Sequence, residues 1–170
     1  MTLVQCCFLY LASAIVILAV LAVTRKNPVY SVLFMLILFV HIAVLYLFLN
    51  AEFMAAIQII VYAGAVLVLY LFVVMFLNIR EEELQNRFHG PWPLALFGVI
   101  MFAGFFVFIT KDMQVFPVPG PHSIQYIEKT GSLMAIGSVL FTEYLLPFEI
   151  ASILLLVAII GAVVLTKRKV

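Results

Sequence analysis

Charge is what this sequence has least of. Only 10% of its 170 residues are charged, against roughly 25% in an ordinary soluble domain, while 67% are hydrophobic against roughly 45–50%. A soluble globule is excluded on that ground. Nine Lys+Arg against eight Asp+Glu leave a formal net charge of +1, so there is neither a basic field to hold nucleic acid nor an acidic one to draw cations. Cysteine is almost as scarce. Cys6 and Cys7 are adjacent within an apolar run, and without His or Cys partners at ligand spacing they make neither a disulfide scaffold nor a zinc site. They read as small apolar filler. No nucleophile stands with a base, no glycine-rich loop suits a phosphate and no metal-ligand spacing occurs, so no soluble catalytic site is expected. An internal repeat is missing too, which argues against a transporter built from inverted halves.

What is there is apolar length. A bilayer core about 30 Å thick needs around 20 apolar residues at 1.5 Å rise each, and five stretches qualify: 3–23, 29–49, 53–77, 94–109 and 145–165. Backbone groups left unsatisfied in lipid are costly, so each span should be a helix. The expected fold is an all-α integral membrane protein, one membrane domain over residues 1–170. The first stretch lacks a basic start and a clear cleavage site, so it is expected to stay in the mature protein. Five spans put the termini on opposite sides. Arg25, Lys26, Arg80, Arg87, Lys167, Arg168 and Lys169 fall on one side and only Lys111 and Lys129 on the other, which by the positive-inside rule places the N-terminus outside and the C-terminus in the cytoplasm.

The connections differ in kind. Asn27-Pro28 and Asn50-Ala51-Glu52 are tight turns, so the first three helices should form a compact up-down unit. The third link, 79–93, is short and charged and ends in Gly90-Pro91-Trp92-Pro93, where Trp92 suits an interfacial anchor. The long extracytoplasmic loop 111–142 carries Pro117, Pro119, Gly120 and Pro121, then a semi-apolar stretch, 131–141, that suits a short interfacial helix.

Polar residues at membrane depth are the informative ones, because each costs energy unless paired or wetted. In the third span Gln58 and Tyr62 stand four residues apart, which on a regular helix is one face. Gly64 follows, flanked by Ala63 and Ala65. Loss of side-chain bulk there suits close packing with a neighbouring helix, or a local loosening such as a π-bulge. Glu52, at the N-terminal mouth of that helix, reads as a cap favoured by the macrodipole. Glu143 and Glu149 flank Pro147 and are about 120° apart on a regular helix, so they form no paired-carboxylate site. Glu149, a turn into the last span, is a candidate buried, hydrogen-bonded acid between subunits. Ala151, Ala158 and Ala162, with Gly161 beside them, form a small-residue packing seam. His41, alone in the second span, reads as a hydrogen-bonded interior histidine. The apolar surface and the seam together suggest a subunit packed among other membrane chains.

Two strings carry a resemblance. IIVYAGAVLVLYLFVVMFLN (59–78) and YLLPFEIASILLLVAIIGAVVL (144–165) resemble the third and fifth membrane helices of subunit J of proton-pumping NADH-quinone oxidoreductase, respiratory complex I, the family of mitochondrial NADH dehydrogenase subunit 6. Asn27-Pro28, five helices and the length agree with it. The resemblance implies a non-catalytic subunit of the membrane arm, with FMN, iron-sulfur clusters and quinone held elsewhere in the complex and no redox centre in this chain. It implies a π-bulge near Tyr62, Ala63 and Gly64 whose straightening gates a hydrated path from the quinone region towards the antiporter-like subunits. Gln58 stands where some relatives carry a carboxylate, so that ionisable group is absent here. Glu83 lies near an acidic position of relatives, and Glu81 and Glu82 compete with it for that role. The implied partners are the small subunits A and K and the quinone-site and antiporter-like subunits, H and N, in the plasma membrane of a bacterium. The small membrane chain of a multisubunit cation antiporter or membrane-bound hydrogenase is the other reading of the same helices.

Overall fold

A computed structural model of the chain describes residues 3–77, 92–112 and 124–167, all helical or turn, without a strand among them. The helices are α1 (Leu3–Thr24), α2 (Pro28–Phe48), α3 (Glu52–Phe76), α4 (Trp92–Asp112), α5 (Ile124–Thr130), α6 (Ser132–Leu140) and α7 (Leu145–Thr166). Four of them, α1, α2, α3 and α7, are long and apolar enough to cross a membrane, and α4 has a shorter apolar stretch, Leu96–Ile109. The charged connection with Arg80, Glu81, Glu82, Glu83 and Arg87, the side chain of Trp92 and the proline-rich start of the long loop lie outside the described residues. Residues 1–118 and 119–170 make two compact units.

In the first unit α2 is the middle helix, with α1 packed on it and α3 packed along it. The two turns show why the chain doubles back so tightly. Asn27 caps α2, its side-chain Oδ1 accepting from the Val29 N–H at 2.9 Å, and Pro28 occupies the first turn, where its missing N–H costs nothing. At the other end Asn50 takes φ 58°, which an Asn adopts more readily than most residues. The Ala51 N–H bonds to the Tyr46 carbonyl at 2.9 Å and the Asn50 N–H to the Leu47 carbonyl at 3.1 Å. That pair of bonds is a Schellman closure, which satisfies helix-end carbonyls that lipid cannot solvate. The Ser31 hydroxyl donates to the Ala22 carbonyl and joins the start of α2 to the end of α1. The Arg25 guanidinium lies 5.0 Å from the centre of the Phe34 ring, laying its stem back along α2.

The buried residues of this unit are small: Ala22, Ala43, Ala55 and Ala63 are among them, with Leu11, Val32, Leu67 and Val74. Small residues let helix backbones approach closely, and in lipid that contact, not water exclusion, drives association. Glu52 opens α3, but the capping position is held by Ala51 with no side-chain cap bond. The expectation that Glu52 is the cap is corrected: a side chain inside the first turn cannot reach forward as an N-cap does, and the fit of its charge to the macrodipole is what remains.

In the second unit the expected single interfacial helix is two, α5 and α6, because Gly131 interrupts them with φ 86°, a conformation that strains a residue with a Cβ. Its N–H closes α5 on the Ile127 carbonyl at 2.8 Å. Phe141 and Phe148 pack edge to face, 5.0 Å apart, at the start of α7. None of the α7 residues is buried within the chain.

Candidate functional site

The third span is not a uniform α-helix. Its first turns, Glu52–Ile57, and its last, Leu67–Phe76, are α-helical, and Gln58–Val66 between them is π-helical. The Leu67 N–H bonds to the Tyr62 carbonyl, five residues back. A π turn is rarer and less favourable than an α turn, and it persists where local side chains leave room for the wider ring. Here the room comes from the string Ala63-Gly64-Ala65.

The consequence is a change of register. The residues of α3 that are buried are Ala55, Gln58, Ala63, Leu67 and Val74, separated by three, five, four and seven. Three, four and seven are α-helical intervals. Five is not: on a regular α-helix Gln58 and Ala63 would be about 140° apart, and a π turn, closing five residues on, returns them to one side. The expected shared face of Gln58 and Tyr62 is corrected on this account. Gln58 is 6% exposed and is the buried polar residue among those described, whereas Tyr62 is 48% exposed. Tyr62 instead meets Phe39 of α2 edge to face, with ring centres 6.1 Å apart.

Gly64 sits against the wound backbone itself. A Cβ placed there would stand 3.3 Å from the Ile59 carbonyl oxygen, the group five residues back. That is tighter than ordinary packing, and the neighbour is main chain, which cannot swing aside. No buried side-chain nitrogen or oxygen among the described residues lacks a hydrogen-bond partner. The site is thus a bend in register with a glycine at its crowded point and an amide at its start, and the described residues bring no ionisable side chain into it.

The other candidates lie apart from it. His41 is half-buried on α2, its Nδ1 bonded to the Ile37 carbonyl at 2.8 Å, beside the Tyr10 ring of α1. Glu149 is exposed within this chain, as are Ala151, Ala158 and Ala162, while Gly161 is half-buried. Phe39 and Tyr10 were not legible as site residues, because the register of one helix against another leaves no mark in local spacing. Among the described residues no three His, Cys, Asp or Glu side chains gather as a metal site. Cys6 and Cys7 are both exposed on α1, and neighbours on a helix diverge by about 100°, a poor ligand set for a cluster.

Residues 18–165 match the family of NADH-ubiquinone/plastoquinone oxidoreductase chain 6. Over 161 residues the chain is 37% identical to NAD(P)H-quinone oxidoreductase chain 6 of Synechocystis sp., spanning 95% of this chain and 79% of that one. It is likewise 37% identical over 164 residues to NADH-quinone oxidoreductase subunit J of Rickettsia prowazekii, spanning 95% of this chain and 80% of the relative. The chloroplastic NAD(P)H-quinone oxidoreductase subunit 6 of Marchantia polymorpha is 37% identical over 170 residues, spanning 95% and 87%.

Proposed function

Because this chain belongs to the NADH-ubiquinone/plastoquinone oxidoreductase chain 6 family, we propose that its π-wound third helix is a gating element of the membrane arm of that enzyme. The chain is a multi-pass membrane subunit of NADH-quinone oxidoreductase, and other subunits of the complex are its partners. The π segment Gln58–Val66 is the observation that carries the gating reading. Interconversion of a π turn and an α turn shifts everything beyond it by one residue, so a small energy at Gly64 becomes a rotation of Leu67–Phe76. That rotation opens or closes a hydrated path between the quinone region and the antiporter-like subunits. FMN, iron-sulfur clusters and quinone supply the redox chemistry from other subunits. The chain itself contributes α3 as a two-state element, with Tyr62, Ala63 and Gly64 at the switch.

Gln58 has a physical part in this. Backbone groups change partners when the winding changes, and an unpaired amide in apolar surroundings costs roughly 2–7 kcal/mol. A buried side-chain amide at the first residue of the segment can take up a freed group during that exchange. Gln58→Leu should therefore leave NADH oxidation with an artificial acceptor intact and lower proton translocation per NADH by about threefold or more, since even half of the low estimate is near 1 kcal/mol. Unchanged translocation in the same vesicles would reduce Gln58 to a filler of space.

Five spans with the N-terminus outside and the C-terminus in the cytoplasm of a bacterium follow from the seven-to-two distribution of Lys and Arg. A reporter fused after Val170 should be active only in its cytoplasmic form. An extracytoplasmic signal from that fusion would reverse the orientation. The seam of Ala151, Ala158, Gly161 and Ala162 faces a helix of a neighbouring subunit in this reading, and Glu149 becomes a buried, hydrogen-bonded acid at the same contact. The small subunits A and K, the quinone-site subunit and the antiporter-like subunit are the neighbours the arrangement calls for.

A further inference from the structure

Tyr10 and His41 form a polar pair at membrane depth that the gate does not use. Tyr10 lies seven residues into α1 and His41 seven residues before the end of α2, so both stand about 10 Å from the same end of the antiparallel pair. Their ring centres are 6.3 Å apart and the rings are tilted by 48°. His41 donates from Nδ1 to the Ile37 carbonyl. That bond fixes the tautomer of the uncharged imidazole: the proton is on Nδ1, and Nε2 keeps its lone pair. Among the described residues no donor reaches Nε2, and the Tyr10 hydroxyl has no partner on a face where the residue is 64% exposed. Around the pair the surface is apolar and open, with Ile17 58%, Ile37 45% and Val44 43% exposed.

An unengaged acceptor beside an unengaged hydroxyl, a third of the way into a hydrocarbon layer, is not matched by acyl chains, which offer neither donor nor acceptor. It is matched by a helix whose own polar side chain supplies both. We infer that the outer face of α1 and α2 at Tyr10 and His41 docks a membrane helix of another subunit of the enzyme, one that carries a hydroxyl or amide donating to His41 Nε2. This rests on the chain's membership of a multisubunit membrane enzyme and is independent of any movement in α3. The apolar flanks supply close packing above and below the polar contact, and the hydrogen bond sets the register of the two chains, as isolated polar contacts do between membrane helices.

The test uses the assembled enzyme in its own membrane. A benzophenone side chain introduced at Ile37, and separately at Val44, is photoactivated, and the adducts are mapped by mass spectrometry. The expected adduct joins α2 to a spanning helix of another subunit with Ser, Thr, Asn, Gln or Tyr at the cross-linked height. Adducts with lipid alone, or with a helix wholly apolar at that height, overturn the inference. In parallel, His41→Leu should lower intact enzyme on native gels by about threefold, the worth of one intramembrane hydrogen bond. His41→Gln, whose Oε1 still accepts, should hold it at the wild-type level. Equal behaviour of the two variants would show that the acceptor is not used. Proton pumping by the residual wild-type-like complexes is unaffected in either case, so a failed gate and a failed dock give different results.

Discussion

A Gly64→Val enzyme should assemble, oxidise NADH with an artificial acceptor at the wild-type rate, and lose about tenfold or more of its quinone-linked proton pumping. The direction comes from geometry. A Cβ at residue 64 meets the Ile59 carbonyl oxygen at 3.3 Å in the π-wound segment, and valine adds two methyl groups on a side chain with little rotamer freedom in a helix. The crowded atom belongs to the residue five back, the position that a π turn brings close and an α turn moves away. Valine therefore penalises the π form more than the α form. Overpacking of this kind costs about 1–3 kcal/mol, and each 1.4 kcal/mol is a factor of ten in the ratio of the two windings.

The same reasoning grades a series. Gly64→Ala requires a few tenths of an ångström from the backbone and should reduce pumping less than valine does. Tyr62→Phe removes a hydroxyl but keeps the edge-to-face contact with Phe39, so it should be the mildest of the three. The paired measurement is acceptor-reductase activity and quinone-linked proton uptake in one vesicle preparation. Wild-type values of both in Gly64→Val would make the glycine a packing residue and nothing more.

How far the sequence carried this follows from which spacings are local. Apolar length alone marked the helices, since α1, α2, α3 and α7 begin and end within a residue or two of the apolar runs. The Asn27 and Asn50 turns were legible because an asparagine caps or closes a helix through its own side chain and φ, without help from distant residues. The face of Gln58 was not legible. The four-residue rule that joined it to Tyr62 presumes α winding, and the five-residue step to Ala63 exists only because the segment is π-wound. The signal available was Ala63-Gly64-Ala65, which marks where bulk is missing but not which residue turns inward. The α7 seam and Glu149 are legible as features with no partner inside the chain, where they stand exposed or half-buried. Their chemistry belongs to a contact between chains, and one sequence cannot hold both sides of it.

Ala43→Leu should deplete the intact enzyme from membranes by about fivefold or more, a larger loss than any exposed apolar exchange on α1 or α4 would give. Ala43 is 4% exposed on α2, five residues from its end, and Ala55 is 5% exposed three residues into α3. The two lie at nearly the same height in antiparallel neighbours joined by the Asn50 turn. Two buried alanines at one level mean that the backbones run close there, and close backbones leave no cavity for three added carbon atoms. The helices must part or the turn must open. The turn resists opening, because its closure satisfies carbonyls at the end of α2 that would otherwise face lipid. Parting moves α3 off α2 and removes Phe39 from Tyr62, so the π segment loses its lateral support as well. An overpacking cost of about 1–3 kcal/mol corresponds to a factor of about five to a hundred in the folded unit, and unassembled membrane subunits are degraded. Ala43→Ser, which adds one small atom, should keep the enzyme near its normal level. Blue native gels with an in-gel NADH stain read both variants, and a normal band for Ala43→Leu would mean that α2 and α3 are not held in close contact at this level.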